Sequence, residues 1–361
     1  MDITKVDRNF KIEHHIDEAD VVLYDVRRRP FDIYGLYNPR RERVFKRLPD
    51  QIAKNVNEGV AGLYLQTAGG RVRFATDSPY VAIKVQMPYI SHMPHMPMTG
   101  SSGFDLFLDD PITGSSRFVK GFGPDFKKTD GYEGKAEFGS RKMRYFTLNF
   151  PTYNAVSNLW IGLAADAVVD HGLKYKKTAP VVYYGSSITQ GGCSARPGNA
   201  YQAIVSRSLN MDFINLGFSG SGRGEDTIVD YMAQMEMSVF VSDYDHNAPT
   251  VEHLKNTHYN LYERIRAAHP DIPYIMISRP DFSRTDLSDS EKRREVILES
   301  YHRAKAAGDK NLYFIDGESF FRGRYAQLCT VDGCHPTDMG FALMAEAVEH
   351  EIRLAFTQKY L

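Results

Sequence analysis

Four short polar clusters carry the chemistry this chain could perform. The first, Gly185-Ser-Ser-Ile-Thr-Gln-Gly191, follows an apolar run and sets a serine, Ser187, on a glycine-bounded turn. A hydroxyl is a weak nucleophile until a neighbouring base takes its proton. The last cluster, Val331-Asp-Gly-Cys-His-Pro336, could supply that base. An Asp three residues before a His can bond one imidazole nitrogen, fixing the tautomer so that the other nitrogen accepts the serine proton. Ser187, Asp332 and His335 are thus candidates for nucleophile, orienting carboxylate and general base, in the chain order Ser, Asp, His. Two clusters lie between them, Asn215-Leu-Gly-Phe-Ser-Gly-Ser-Gly222 and Asp243-Tyr-Asp-His-Asn247. Acyl transfer builds negative charge on a carbonyl oxygen, which needs two or three preorganised donors. Backbone amides at glycine and an Asn side chain can provide them. The plainer roles are turn geometry at positive φ for Gly217, Gly220 and Gly222, and capping for Asn247.

These clusters can meet only if the chain folds them to one edge. From Thr178 onward, short apolar runs alternate with longer amphipathic stretches, the pattern of parallel βαβ units. Strands are expected near 181–185, 212–216, 238–243, 273–278 and 312–316. Val251, Leu254, His258, Leu261, Ile265 and Ala268 recur at steps of three and four and predict one helix. Met344, Val348, Ile352 and Ala355 predict another after Pro336, with Thr337 as its N-cap. In such a sheet the turns after the first three strands open on the carboxyl edge, where ligands of open α/β folds bind.

The first half has a different texture. Val81, Ile83 and Val85 alternate with Ala82 and Lys84; Phe146, Leu148 and Phe150 alternate with Thr147 and Asn149. Further strands are expected near 71–76, 103–109 and 116–121, with Gly, Pro, Asp and Ser clusters between them and no helical pattern, which favours an antiparallel sandwich. The expected domains are 1–172, all-β, and 173–361, α/β. The stretch Ser91-His-Met-Pro-His-Met-Pro-Met98 offers imidazole and thioether, soft ligands of the kind copper takes. Packing, or lining of a substrate pocket, is the simpler use of such a loop, and no metal site is assigned.

In combination the four clusters resemble the SGNH, or GDSL-like, hydrolase superfamily, matching its blocks in order. The resemblance implies a flavodoxin-like parallel sheet and a serine carboxylic ester hydrolase acting through an acyl-enzyme. Ser187 would attack, His335 would act as base and then acid, and Asp332 would orient it. The Ser187 amide, the Gly220 amide and the Asn247 side chain would form the oxyanion hole. Ser186 replaces the family's usual Asp, and Asp-Tyr-Asp-His-Asn lacks the Gly of the usual Gly-x-Asn-Asp and the Asp after Asn. Gly103-Phe-Asp-Leu-Phe107 is similar to the Gly-x-Asp-Leu-Tyr signature of a jelly-roll-like domain that precedes SGNH domains in a group of bacterial esterases. That group implies deacetylation of a carbohydrate or similar small ester. An acyltransferase with the same triad, or a carbohydrate-binding protein with an inactive hydrolase domain, are the alternatives. Arg196 and Arg279 sit on the expected catalytic edge and could grip an anionic or polyhydroxylated substrate.

Composition narrows the partners. Forty-four Lys and Arg against 45 Asp and Glu give a net charge of -1, so no broad attraction to nucleic acid or anionic membrane is expected. The expected partner is a small-molecule or oligosaccharide ester, and no cofactor is expected. Met1-Asp-Ile-Thr-Lys lacks an apolar signal core, and no run approaches the ~18 apolar residues that cross a bilayer, so a cytoplasmic location is expected. Three cysteines, Cys193, Cys329 and Cys334, suit a reducing compartment as free thiols. A Cys329–Cys334 or Cys193–Cys334 bridge would sit beside the candidate catalytic residues.

Overall fold

The structure is a computed structural model that describes residues 6–7, 15–280 and 289–358; the N-terminal pentapeptide read above lies outside them. The chain forms two compact units. The division falls between Lys174 and Tyr175, and two short segments join the unit on its far side. Arg47–Tyr64 belongs with the second unit and Arg196–Gly198 with the first.

The first unit is built on two antiparallel sheets. One has the order β1-β9-β4-β7, made of Val21–Asp25 (β1), Asn158–Ala164 (β9), Tyr80–Gln86 (β4) and Gly131–Glu137 (β7). The other runs β10-β3-β8-β5-β6, from Val169–His171 (β10), Arg71–Thr76 (β3), Arg144–Asn149 (β8), Phe104–Asp109 (β5) and Ser116–Phe122 (β6), with Asp32–Tyr34 (β2) also paired to β3. Val81, Ile83 and Val85 share a buried core with Val72, Phe74, Phe146 and Leu148, so the alternation read from sequence faces inward as expected for a sandwich. Thr147 and Asn149, on the opposite face of β8, are buried as well. They are satisfied by carboxylates: Thr147 Oγ1 donates to Asp109 Oδ2 at 2.6 Å and Asn149 Nδ2 to Asp105 Oδ1 at 2.8 Å.

The signature Gly103-Phe-Asp-Leu-Phe107 has a local physical meaning. A Cβ on Gly103 would lie 2.3 Å from the carbonyl oxygen of Thr99. Asp105 is fully buried, and its Oδ2 accepts the Gly198 amide at 2.9 Å. Gly198 in turn has no room for a side chain, with Asp105 Oδ2 and Phe107 Cε2 both 2.6 Å from where a Cβ would stand.

The second unit contains a five-stranded parallel sheet of order β12-β11-β13-β14-β15, from Met211–Gly217 (β12), Lys177–Gly185 (β11), Val239–Asp243 (β13), Tyr274–Ile277 (β14) and Leu312–Ile315 (β15). This is the flavodoxin-like order, with the site expected where β11 lies between its two neighbours. Seven helices matter here: Asp50–Val56 (α1), Glu58–Leu63 (α2), Ser187–Gln190 (α3), Tyr201–Leu209 (α4), Asp226–Ala233 (α5), Val251–Ala268 (α6) and Ser290–Ala306 (α7). An eighth, Asp338–Gln358 (α8), ends the chain. One sheet face, with Val181, Tyr183, Val239, Val241 and Ile275, packs on Tyr201 and Val205 of α4 and on Phe341, Met344 and Val348 of α8. α6 spans the predicted range, capped by Thr250, whose hydroxyl accepts the His253 amide. No described helix is long and apolar enough to cross a membrane.

Candidate active site

The serine turn begins at the end of β11. Gly185 is required there, because a Cβ would stand 2.1 Å from Thr189 Oγ1 and 2.2 Å from the Asp243 carbonyl oxygen. Ser186 is the N-cap of α3: its hydroxyl accepts the Ile188 amide at 3.1 Å. The single helical turn stops at Gly191, whose φ of 104° suits glycine. Ser187 is the partly exposed residue of the turn, flanked by buried Ser186 and Ile188.

Asp332 and His335 come from a loop wound around the carboxylate. Asp332 Oδ1 accepts the amides of Cys334 at 3.0 Å and His335 at 2.7 Å, and Oδ2 accepts His335 Nδ1 at 2.7 Å. Gly333, at φ 82°, makes the tight winding possible. Burial pushes the Asp332 carboxyl up, but the His335 ring and the two amides outweigh it and hold it down at about 2. The other ring nitrogen, Nε2, lies 2.9 Å from Ser187 Oγ. Residues 148 apart in the chain therefore form one continuous Ser–His–Asp relay within the second unit.

The remaining two clusters sit beside this relay in the sheet. Gly217 closes β12 against α3, with Gln190 N 2.2 Å from a hypothetical Cβ. The turn that follows is gathered on the Phe218 carbonyl, which accepts the Ser221 amide, the Gly222 amide and the Asn247 side chain, the last at 2.8 Å. Gly220 is the exposed apex, at φ 66°. Gln190 Oε1 accepts the Ser219 amide at 3.0 Å and so ties the serine turn to the glycine turn. Asn247 is delivered by a 3-10 turn, Asp245–Asn247, after β13. Of the three polar residues there, Asp245 and His246 turn toward other partners. Asp245 Oδ2 accepts the Arg279 amide at 3.1 Å, and His246 Nδ1 lies 3.3 Å from Arg279 Nη2 and 3.8 Å from Cys334 Sγ.

The two arginines expected to grip substrate have other partners. Arg279 is buried, set against His246 and 3.6 Å from Asp289. Arg196 belongs to the first unit, its guanidinium 3.7 Å from the Phe118 ring centre and 4.0 Å from Asp105. All three cysteines are free thiols; burial, with Asp332 and Cys334 nearby, pushes Cys193 up to about 12.

Supporting residues missed in the sequence include several from the first half. Arg47 stacks 4.4 Å over Phe218 and donates to the carbonyls of Gly217, Asn215 and Leu63. Asn57 caps α2 and donates to the Ser221 carbonyl at 2.9 Å. Asn215 and Gln202 both donate to the Thr189 carbonyl at 2.7 Å. Only Asn57 carried a usable signal, a cap residue with Glu58 directly after it.

Comparison with known proteins places this geometry. The model of the GDSL-like lipase/acylhydrolase family matches residues 178–353, and that of GxDLY, the N-terminus of SGNH-hydrolase-type esterases, matches residues 21–169. Among solved structures, a chain described as a GDSL-like lipase from Bacteroides ovatus is 26% identical, with 93% of this chain and 98% of that one covered at a TM-score of 0.83. The salicylyl-acyltransferase SsfX3 from a tetracycline biosynthetic pathway is 19% identical, covering 93% and 98% at 0.72. A family two carbohydrate esterase from Clostridium thermocellum, in complex with cellohexaose, is 15% identical, covering 80% and 93% at 0.59. No curated protein matches the sequence. The chain belongs to the GDSL-like, or SGNH-type, hydrolase family and carries the GxDLY domain at its N-terminal side.

Proposed function

We propose that the protein hydrolyses carboxylic esters by way of an acyl-enzyme on Ser187, with a short acyl group on a carbohydrate as the preferred substrate. The observation that carries this reading is the relay from Ser187 Oγ through both nitrogens of His335 to Asp332. Ser187 attacks the ester carbonyl as His335 Nε2 takes its proton; Asp332 keeps Nδ1 protonated and balances the imidazolium. Charge gathers on the carbonyl oxygen, where the amides of Ser187 and Gly220 and the Asn247 side chain donate. His335 then returns the proton to the departing alkoxide. Water, deprotonated by the same nitrogen, attacks the acyl-enzyme; the acid is released as the bond to Ser187 Oγ breaks and His335 returns the proton to that oxygen. Every step uses side-chain and backbone groups of the chain, so no cofactor is invoked.

Acetyl on a sugar is favoured because several chains of this fold are described as carbohydrate esterases, among them an acetyl xylan esterase from Butyrivibrio proteoclasticus. The fold also serves a chain described as an acyltransferase, so transfer to a sugar hydroxyl instead of water is the second reading. The test is a panel of acetylated oligosaccharides and p-nitrophenyl esters of graded length, run with wild type and Ser187→Ala, with and without a free sugar acceptor. Hydrolysis of acetyl substrates, lost in Ser187→Ala, supports the proposal. Equal inactivity of both proteins would sink it, and acyl release that requires the acceptor would favour the transferase.

A further inference from the structure

Asp243, the last residue of β13, is fully buried beneath the serine turn and has no step in the mechanism above. Its backbone carbonyl accepts the Ser186 amide at 3.0 Å, and its Oδ2 lies 3.1 Å from Thr189 Oγ1. One residue thus holds the turn on both sides of Ser187. The turn is close-packed here, since a Cβ on Gly185 would stand 2.1 Å from Thr189 Oγ1 and 2.2 Å from the Asp243 carbonyl oxygen. On the other side, the Thr189 carbonyl is fixed by Gln202 and Asn215.

The surroundings of this carboxyl suit an acid better than an anion. The hydroxyls of Tyr201 from α4 and Thr189 from α3 and the His246 ring face it and favour the anion, but Asp245, on its own connection, adds a like charge that favours the acid. The guanidinium groups of Arg279 and Arg293 are directed to other acceptors, Arg279 to His246 and Asp289 and Arg293 to Asp289 and the carbonyls of Asp245 and Ala248. Asp243 Oδ1 is buried without a hydrogen-bond partner among the described residues. An ionised oxygen so placed is much more costly than a neutral one. Burial first, and then the charge of Asp245, raise this carboxyl to about 8, against smaller opposing pulls from His246, Thr189 and Tyr201.

We propose that Asp243 works as a neutral carboxylic acid, a positioning residue that fixes the Ser187 turn, and that its ionisation sets an alkaline limit on turnover. This rests on the reading of Ser187 as nucleophile. As pH rises, the proton leaves to solvent and a second buried carboxylate appears next to Asp245. The bond to Thr189 is then re-formed around an unsolvated charge, and Ser187 loses its register with His335.

The test compares wild type, Asp243→Asn and Asp243→Ala on p-nitrophenyl acetate from pH 6 to 10, together with their melting temperatures from pH 5 to 9. A lost turn support should lower kcat of Asp243→Ala on the order of 10²-fold with KM little changed, since small misplacements of a nucleophile are costly. Asp243→Asn, a neutral mimic, should recover most of that loss and move the alkaline fall in kcat upward. Its melting temperature should also fail to follow wild type: the native acid loses stability as pH rises from about 4 to about 8, because the unfolded chain ionises first, and the amide cannot. An Asn variant as weak as Ala, or an alkaline limb or melting profile that coincides with wild type, would overturn the proposal. An inactive wild type would defeat the ester-hydrolase reading instead, while the melting series would still decide whether Asp243 is neutral.

Discussion

Replacing Asp332 by Asn changes one atom of the relay, and the structure dictates what that does. The carboxylate accepts three bonds: two backbone amides on Oδ1 and His335 Nδ1 on Oδ2. Asparagine has one acceptor oxygen. If that oxygen stays with the two amides, its NH2 faces Nδ1, which must then be unprotonated. The ring proton moves to Nε2, the atom 2.9 Å from Ser187 Oγ, and the general base is blocked. If the amide group turns over, NH2 meets two backbone donors, leaving amides unsatisfied at about 1–3 kcal/mol. Where such a relay acts as a unit, the wrong tautomer costs on the order of 10⁴ in kcat. The Asp332 side chain is 39% exposed, so water can compete for these bonds. The expected loss for Asp332→Asn is therefore on the order of 10² to 10⁴, or about 3–5 kcal/mol of transition-state stabilisation. Asp332→Ala, which leaves the ring free to choose its tautomer, should fall no further. The assay is kcat for p-nitrophenyl acetate at neutral pH, with circular dichroism to check folding. An Asn variant within threefold of wild type would refute the tautomer argument.

Other perturbations separate the roles of neighbouring groups. Asn247→Ala should lower kcat on the order of 10² to 10³, as loss of one oxyanion donor does. It should also cost about 1 kcal/mol in urea unfolding, because the bond to the Phe218 carbonyl is lost with it. Asp105→Ala strands the buried Gly198 amide and Asn149 side chain and should destabilise the protein by about 2–5 kcal/mol, seen as a lower urea midpoint. Gly217→Ala pushes a methyl against backbone atoms of α3 and should cost about 2–3 kcal/mol while also impairing turnover; unchanged kinetics would mean the turn relaxes freely. Asp332 is held below its usual carboxylate range, so its stabilising contribution is present above about pH 4 and is lost as pH falls toward 2. Removing that carboxylate should flatten the acid-melting profile over this window.

The parallel sheet was legible because its strands are apolar runs buried on both faces and its helices repeat at 3.6 residues, as in α6. The sandwich was less complete. β7 reads Gly-Tyr-Glu-Gly-Lys-Ala-Glu, and of its inward positions Tyr132, Gly134 and Ala136 the last two are small residues that give little alternating hydrophobic signal. They are small because the partner fills the space: a Cβ on Gly134 would stand 2.7 Å from the Phe122 ring. The relay was legible as two motifs with known geometric roles. Its supports were mostly not, since Arg47 and Gln190 act through bonds to backbone carbonyls and amides that no local pattern announces. For the two arginines the side-chain partners were what the sequence left out. Placement near an expected edge says nothing of side-chain partners, and Asp105, Phe118, His246 and Asp289 take those guanidinium groups.

The two departures from the family pattern follow from what each residue bonds. Ser186 is fully buried and caps α3 through its hydroxyl, so the turn keeps its cap without the charge. An aspartate there would bury another carboxylate next to Asp243, whose carbonyl already accepts the Ser186 amide. In the third block, Asp245 takes the place of a glycine and acts as an anchor: its side chain accepts the Arg279 amide and its carbonyl accepts Arg293 Nη1 at 2.6 Å. These bonds hold the short 3-10 turn that presents Asn247 to the Phe218 carbonyl. Charge is thus absent from the nucleophile turn and present in the neighbouring turn, where the Asp245 carboxylate accepts a backbone amide. The departures are therefore compatible with a working site.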